Sequence, residues 1–312
     1  MTSVSRIVVA TDFSGCADAA LAIALDVARQ TGAYLEIMHV CESGTTTRDC
    51  LGTNHPLAKA WRTAVAGSGD PSAVRFMWDE VQVVGRTVWS DDATESILDR
   101  AAEDDVDLLV MGTHGHHSVR RFLNDTPDGW PIGQTARVVL PETRCPVLVV
   151  GPQGSRSPVV IRQVVAPVDD SRHAEALVEQ ASRVARFYHA PLVLLHVLPR
   201  GSSEAQRLGA RRRLADLVVS QVPRGQEVEI ELTEGRPADA IVRDASRRDH
   251  PLVMLASHGN RGRGAVQIGS VADAVTRSAP CPVLTVKPWG KSLGQAPSDS
   301  EPRNRAARAA HS

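Results

Sequence analysis

The chain has little that would place it in a membrane, outside the cell or on nucleic acid. No apolar run approaches the ~20 residues needed to span a bilayer. The opening stretch, MTSVSRIVVATDFS, lacks an apolar segment followed by a small-residue cleavage site, so no signal peptide is expected. Five cysteines in 312 residues, with no CxxC pair, are too few and too scattered for a disulfide framework. A reducing compartment, the cytoplasm, is the simplest expectation. Lys and Arg number 35 against 36 Asp and Glu, for a net charge of -1. No global charge therefore points to nucleic acid or to a membrane surface.

What the chain does have is a repeat. Residues 9 to 40, VATDFSGCADAALAIALDVARQTGAYLEIMHV, align without a gap on residues 166 to 197, APVDDSRHAEALVEQASRVARFYHAPLVLLHV. Asp12 meets Asp169, Ser14 meets Ser171, and His39-Val40 meets His196-Val197. Near the ends, Cys145-Pro146-Val147-Leu148 matches Cys281-Pro282-Val283-Leu284. The offset falls from 157 to 136, so the first copy is 21 residues longer in its middle. Two domains follow, 1–151 and 159–288, joined by the Gly-, Pro- and Ser-rich stretch GPQGSRSP. The small, polar segment 289–312 is expected to be a disordered tail.

Each copy alternates short apolar runs with helical stretches. RIVVAT, YLEIMHV, VQVVGRTV, DLLVMG and PVLVVG serve the first copy. QVVAPV, LVLLHV, EVEIEL, PLVMLAS and PVLTV serve the second. Most of these are continuous rather than alternating, the pattern of strands buried on both faces of a parallel sheet. This predicts two tandem doubly wound, Rossmann-like α/β domains. Residues 41–80 read as a long loop flanking a short helix around Trp61.

In such a fold, ligands bind beyond the carboxyl ends of the strands, where the strand order reverses. The stretch ASHGNRGRGAVQIGS, residues 256–270, follows the fourth strand of the second copy. Gly259 lets backbone approach a ligand closely. Ser270 is expected to cap the next helix, whose N-terminus offers free N–H groups to an anion. Arg261 and Arg263 add positive charge, and Asp169 after the first strand suits a ribose hydroxyl or an adenine amino group. Together these residues describe a nucleotide pocket.

Two commoner phosphate motifs are absent. The only Gly-Lys-Ser, residues 290–292, has Thr285 where a Walker A loop needs glycine. Gly262 and Gly264 are followed by Gln267 rather than by the third glycine of the dinucleotide fingerprint. The second copy instead reads Ala256-x2-Gly259-x9-Gly269-Ser270. This resembles the G-x2-G-x9-G-[ST] motif of the universal stress protein family, with alanine for the first glycine. VDDS (168–171), LLHV (194–197), EGRPADAI (234–241) and APCPVLTV (279–286) also resemble that family. The likeness covers roughly residues 5–151 and 160–287.

The resemblance implies a five-stranded parallel sheet of order 3-2-1-4-5 that binds ATP, with Mg. It implies Val168 and Asp169 near the adenosine and Val197 near the adenine. Ala256, His258, Gly259, Arg261, Gly262, Gly269, Ser270 and Val271 fall at ribose and phosphates. In the first copy, Asp12, Val40, Gly112, Gly115 and Gly133 hold the matching positions. There the gap between Gly115 and Gly133 is 17 residues rather than nine, and Gln134 replaces Ser or Thr. That cradle is either a second nucleotide contact or a retained scaffold loop. The family also pairs last strands across a dimer, which implies an intramolecular pseudo-dimer here and leaves a homodimer of chains open.

Other residues have simpler readings. His114, His116 and His117 lack a matched carboxylate or cysteine and read as exposed loop residues rather than metal ligands. Cys145 and Cys281 read as packing, Cys41 and Cys50 as free of a redox role, and His39 and His196 as structural. No nucleophile is paired with a base in a way the sequence can show. The expected function is an ATP-binding stress-response regulator with protein partners of unknown identity. A scaffold that binds no nucleotide and a slow adenine-nucleotide hydrolase are the alternatives.

Overall fold

The computed structural model describes residues 4–70, 72–115, 133–152, 160–257, 268–287 and 293. In the first domain the strands are β1 (Arg6–Ala10), β2 (Tyr34–Cys41), β3 (Ala73–Trp78), β4 (Val81–Trp89), β5 (Leu108–Gly112) and β6 (Val147–Val150). Its helices are α1 (Gly15–Thr31), α2 (Thr47–Cys50), α3 (Pro56–Ser68), α4 (Ala93–Ala102) and α5 (Gln134–Glu142). The second domain contributes β7 (Gln163–Pro167), β8 (Leu192–Leu198), β9 (Val228–Glu234), β10 (Pro251–Ala256) and β11 (Val283–Val286). Its helices are α6 (Ala174–Phe187), α7 (Glu204–Gln221), α8 (Pro237–Ala245) and α9 (Ser270–Ser278).

All eleven strands form one sheet, ordered β3-β4-β2-β1-β5-β6-β11-β10-β7-β8-β9. The second domain has the expected five-stranded parallel order. The first has the same order plus one strand. Residues 41–80 are not a long loop around one helix. They hold α2, α3 and β3, and β3 pairs antiparallel with β4 at the outer edge. The composition of this segment hid β3, because its AVRFMW mixes exposed and buried positions instead of forming a continuous apolar run.

The domains meet where β6 and β11 pair antiparallel, with Val147 opposite Thr285, Leu148 opposite Leu284 and Val149 opposite Val283. Two strands that would otherwise be open edges thus cover each other, as the pseudo-dimer expectation required. The pleat sends neighbouring residues to opposite faces. Val9, Leu148, Val164, Leu194 and Leu284 enter one core, and Val8, Val147, Val165, Leu195 and Val283 enter the other. Both cores run across the junction between the domains.

Leu293 corrects the tail expectation at one point. It is 1% exposed and belongs to the first core. The rest of segment 289–312 lies outside the described residues. Among the described residues, no helix is long and apolar enough to cross a membrane.

Candidate functional site

The end of β7 builds the site. Val168 donates its N–H to Leu195 O at 2.8 Å, and its own carbonyl meets His196 Nδ1 at 2.7 Å. These contacts lock β7 to β8 just past the paired strands and fix the turn that follows. Asp169 Oδ1 then accepts from the N–H of Ser171 at 3.1 Å. This Asx turn holds the carboxylate at the switch point, as short polar side chains do. Val168 itself is 5% exposed and does not line the cleft.

The cleft beyond β7 and β8 has a volume of about 440 Å³. Asp169, His196, Val197 and Leu198 line one side. Gln206, Gly209 and Arg213 of α7 line the other, where Arg213 Nε pairs with Asp170 Oδ1 at 2.9 Å. No motif in the sequence marks these α7 residues. Only the folding of α7 against β8 brings Arg213 to the cleft. Val197 is partly buried and packs on the second core, so it offers an apolar edge rather than a polar one.

The other side of the switch point is the start of α9. Gly269 is the N-cap, with φ -58° and ψ 142°, and its N–H reaches Ser257 O at 2.9 Å. Ser270 is therefore the first helical residue and not the cap, a correction to the sequence expectation. The first helical turn still leaves N–H groups without intrahelical partners. Val271 packs against the second core and anchors this turn. His258, Gly259, Arg261 and Gly262 lie outside the described residues.

The first domain repeats this framework bond for bond. Thr11 N–H reaches Met38 O at 2.9 Å, His39 Nδ1 meets Thr11 O at 2.7 Å, and Ser14 N–H reaches Asp12 Oδ1 at 3.1 Å. Gly133 caps α5 with φ -54° and ψ 146°, and its N–H reaches Thr113 O at 2.7 Å. The additional residues between Gly115 and Gly133 fall outside the described residues, but the end of the loop returns to the same place. His39 and His196 thus share one structural role.

The first-domain glycines are needed for close approach. A Cβ on Gly112 would lie 2.8 Å from Cys16 Cβ and 3.1 Å from Ala17 N at the start of α1. Gly112 therefore lets the end of β5 approach the start of α1, and Ala256 stands at the matching position at the end of β10. A Cβ on Gly115 would lie 2.5 Å from Asp12 Oδ2. This glycine lets the backbone that follows β5 lie directly against the switch-point carboxylate. Val40 is partly buried on the second core, like Val197.

Three other expectations change or stand. His114 is 2% exposed rather than an exposed loop residue, and its Nδ1 lies 2.7 Å from Thr113 Oγ1. His116 and His117 lie outside the described residues. Cys145 and Cys281 are buried, and burial pushes the Cys281 thiol up to about 12. Cys41 and Cys50, expected to play no redox part, form a disulfide bond. Burial pushes the His39 imidazole below its usual value, opposed by bonds to the main chain of Thr11 and of Cys50.

Fold and cleft define a tandem, doubly wound α/β protein with a cleft at the switch point of its second domain. The Universal stress protein family model matches residues 3–151 and 161–287. The chain belongs to the universal stress protein family. A universal stress protein of Mycolicibacterium smegmatis is 25% identical over 309 residues, covering 90% of this chain and 97% of the relative. The structure of a putative universal stress protein from Pseudomonas aeruginosa UCBPP-PA14 matches with a TM-score of 0.63 at 18% identity, covering 92% of this chain and 94% of that one. The universal stress protein of Archaeoglobus fulgidus in complex with dAMP is 28% identical, covering 41% of this chain and 99% of that one at a TM-score of 0.35.

Proposed function

We propose that the chain is an ATP-binding regulator whose second domain holds the nucleotide. The observation that carries this reading is the cleft at the ends of β7 and β8, with the Asp169 carboxylate on one side and the α9 N-terminus across the switch point. A carboxylate in a part-apolar cleft suits the hydroxyls of ribose or the amino group of adenine. The apolar edge of Val197 suits the face of the base. The unpartnered N–H groups that follow Gly269, with the Ser270 hydroxyl, suit phosphate oxygens. The motif expects His258, Gly259, Arg261 and Gly262 to complete that cradle.

The same residues favour binding over turnover. Loop amides, a helix start and a hydroxyl hold charge, but phosphoryl transfer to water also needs a group that positions or deprotonates the water. Asp169 is committed to the turn and to the adenosine end. Nucleotide then acts by occupancy: it stabilises whichever arrangement binds it better and so biases contact with a partner protein. Bound Mg would offset phosphate charge and supply no further chemistry in this role.

The test is direct. Protein freshly purified from cells should release adenine nucleotide on acid treatment, identified by mass. Phosphate release from added Mg-ATP should stay well below the ~1–10³ s⁻¹ of dedicated enzymes. Fast multiple turnover would make the chain an enzyme. Nucleotide-free protein that ATP does not stabilise would make it a scaffold.

A further inference from the structure

Among the described residues, one group of histidine and cysteine side chains brings its donor atoms close enough to share an ion. A ring nitrogen of His39 and the sulfurs of Cys41 and Cys50 all lie within 4.8 Å of one another. Cys41 is 3% exposed, whereas His39 and Cys50 are partly exposed, so the group has a buried floor and an open side. The strand β2 supplies two of the three donors. His39 and Cys41 stand two residues apart on it, so the pleat points both to one face. The short α2 returns Cys50 to them, with its Cα 5.6 Å from that of Cys41. In the second domain the 157-residue offset keeps the histidine, as His196, and puts Leu198 in place of Cys41.

We infer that Cys41 and Cys50, once reduced, form a zinc site with His39. The inference is independent of the nucleotide reading. In the oxidised chain the sulfurs are bonded to each other, so the site exists only after reduction. A tetrahedral zinc, with Zn–S of ~2.3 Å and Zn–N of ~2.0 Å, holds its ligand atoms about 3.5–3.8 Å apart. The three donors are within reach of that spacing once the sulfurs can part. His39 is already oriented for the task. The carbonyl of Thr11 lies 2.7 Å from Nδ1 and can only accept, so the proton sits on Nδ1 and Nε2 carries the lone pair. Zinc-bound histidines are commonly fixed in this way, by a main-chain carbonyl on the other ring nitrogen. His196 makes the same bond to Val168, so the ring orientation belongs to the fold and the two cysteines are what the first domain adds. The main chain of Cys50 also reaches the His39 ring, but the segment that carries it can give way. Glu42, Ser43, Gly44, Thr46, Arg48 and Asp49 are all exposed.

The chemistry balances with a dithiol reductant. Two electrons and two protons pass to Cys41 and Cys50 through a mixed disulfide, and the reductant leaves as its own disulfide. Zinc then displaces the two thiol protons and binds the thiolates, with water in the fourth position. A small-molecule disulfide reverses the step. It takes the two electrons, picks up two protons from solvent and leaves as two thiols, while the Cys41–Cys50 bond forms and zinc is released. The same pair thus ties segment 42–50 to β2 in both states, by a sulfur bond when oxidised and by zinc when reduced.

The experiment titrates Co²⁺, a coloured stand-in for zinc, into the full chain, both oxidised and after reduction with dithiothreitol and desalting without oxygen. Peptide masses confirm the state of Cys41 and Cys50. The reduced chain should bind one Co²⁺ with the thiolate charge-transfer and visible d–d bands of a tetrahedral site, and added Zn²⁺ should bleach them. The oxidised chain should show neither band. Cys50→Ser and His39→Gln should each lose the one-to-one signal. The glutamine can still donate to the Thr11 carbonyl, and thermal melts confirm that both variants fold. A reduced chain without these bands overturns the site. So do bands of equal strength in the oxidised chain, or bands that either substitution leaves unchanged.

Discussion

Gly133 and Gly269 hold the same position in the two domains. Each caps its helix in extended conformation, and each ties its N–H to the carbonyl of a residue just beyond the fourth parallel strand, Thr113 at 2.7 Å and Ser257 at 2.9 Å. Their φ values are negative, so neither position requires glycine for its backbone angles. Gly133→Glu and Gly269→Glu should therefore both fold. Without ligand, each should shift stability by less than about 1 kcal/mol, since a carboxylate at a helix start also gains from the dipole. Thermal melts of the nucleotide-free variants check this, and a large loss in either would place that glycine in tighter packing.

Glu36 is fully buried in β2 and fully paired. Arg100 bonds it through Nε at 2.9 Å and Nη2 at 3.0 Å, Arg86 bonds it at 2.7 Å, and Arg6 lies at 3.6 Å. Burial pushes its pKa up, but the bonds from Arg100 and Arg86 outweigh this and hold it below the ordinary value of 4.5. The folded state thus binds this proton less readily than the unfolded one. Its contribution is complete above about pH 4.5 and is lost as pH falls through the lower folded value. Glu36→Gln should cost roughly 1–3 kcal/mol near neutral pH, because the buried Arg100 guanidinium loses one carboxylate while keeping Glu103 and Asp105. Denaturant melts should show that loss shrinking in acid. A constant difference across pH would contradict it.

The indole of Trp61 lies flat against Gly85. A Cβ at 85 would fall 2.3 Å from Trp61 Cε2. Gly85→Ala should therefore destabilise by about 1–3 kcal/mol through overpacking. Gly85→Ala combined with Trp61→Leu should cost less than the sum of the two single changes. Additive losses in that double-mutant cycle would show that the contact does not explain the glycine.

Lys287 sits beside the domain junction, where its ammonium donates to the carbonyl of Pro141. Burial pushes its pKa down to about 8, with Glu142 opposing and Arg144 assisting. The folded chain gives up this proton before the unfolded chain does. The penalty is complete below about pH 8, and stability rises with pH between about 8 and 10.5. Lys287→Met should stabilise the fold by roughly 1–2 kcal/mol at pH 7, after allowing for the lost hydrogen bond, and should flatten that rise. Melts at pH 7 and pH 10 distinguish this from a charge the junction needs.

Most of the fold was legible because buried parallel strands write themselves as apolar runs, and the repeat wrote them twice. Val168-Asp169 and His39-Val40 could be placed at strand ends from spacing alone. What stayed hidden depended on contacts across space. The strand β3 carries alternating exposed side chains and gains its identity only from pairing with β4. Arg213 reaches the cleft only once α7 folds. Ser270 looked like a cap by residue type, but Gly269 takes that place because its N–H is tied back to Ser257. The pairing of Cys41 with Cys50 required knowing that α2 turns back onto β2, which the eight residues between them do not declare.

Calorimetric titration of Mg-ATP into the oxidised, nucleotide-free chain tests the central claim most directly, with Asp169→Ala and Gly269→Glu run beside it. The account predicts one site in the parent chain. Asp169→Ala should bind at least tenfold more weakly, because the adenosine end loses its carboxylate, at a cost of about 1.4 kcal/mol or more. Gly269→Glu should lose most binding, because a carboxylate then stands where the phosphates belong. Unchanged affinity in both folded variants, or no binding by the parent chain, would contradict it.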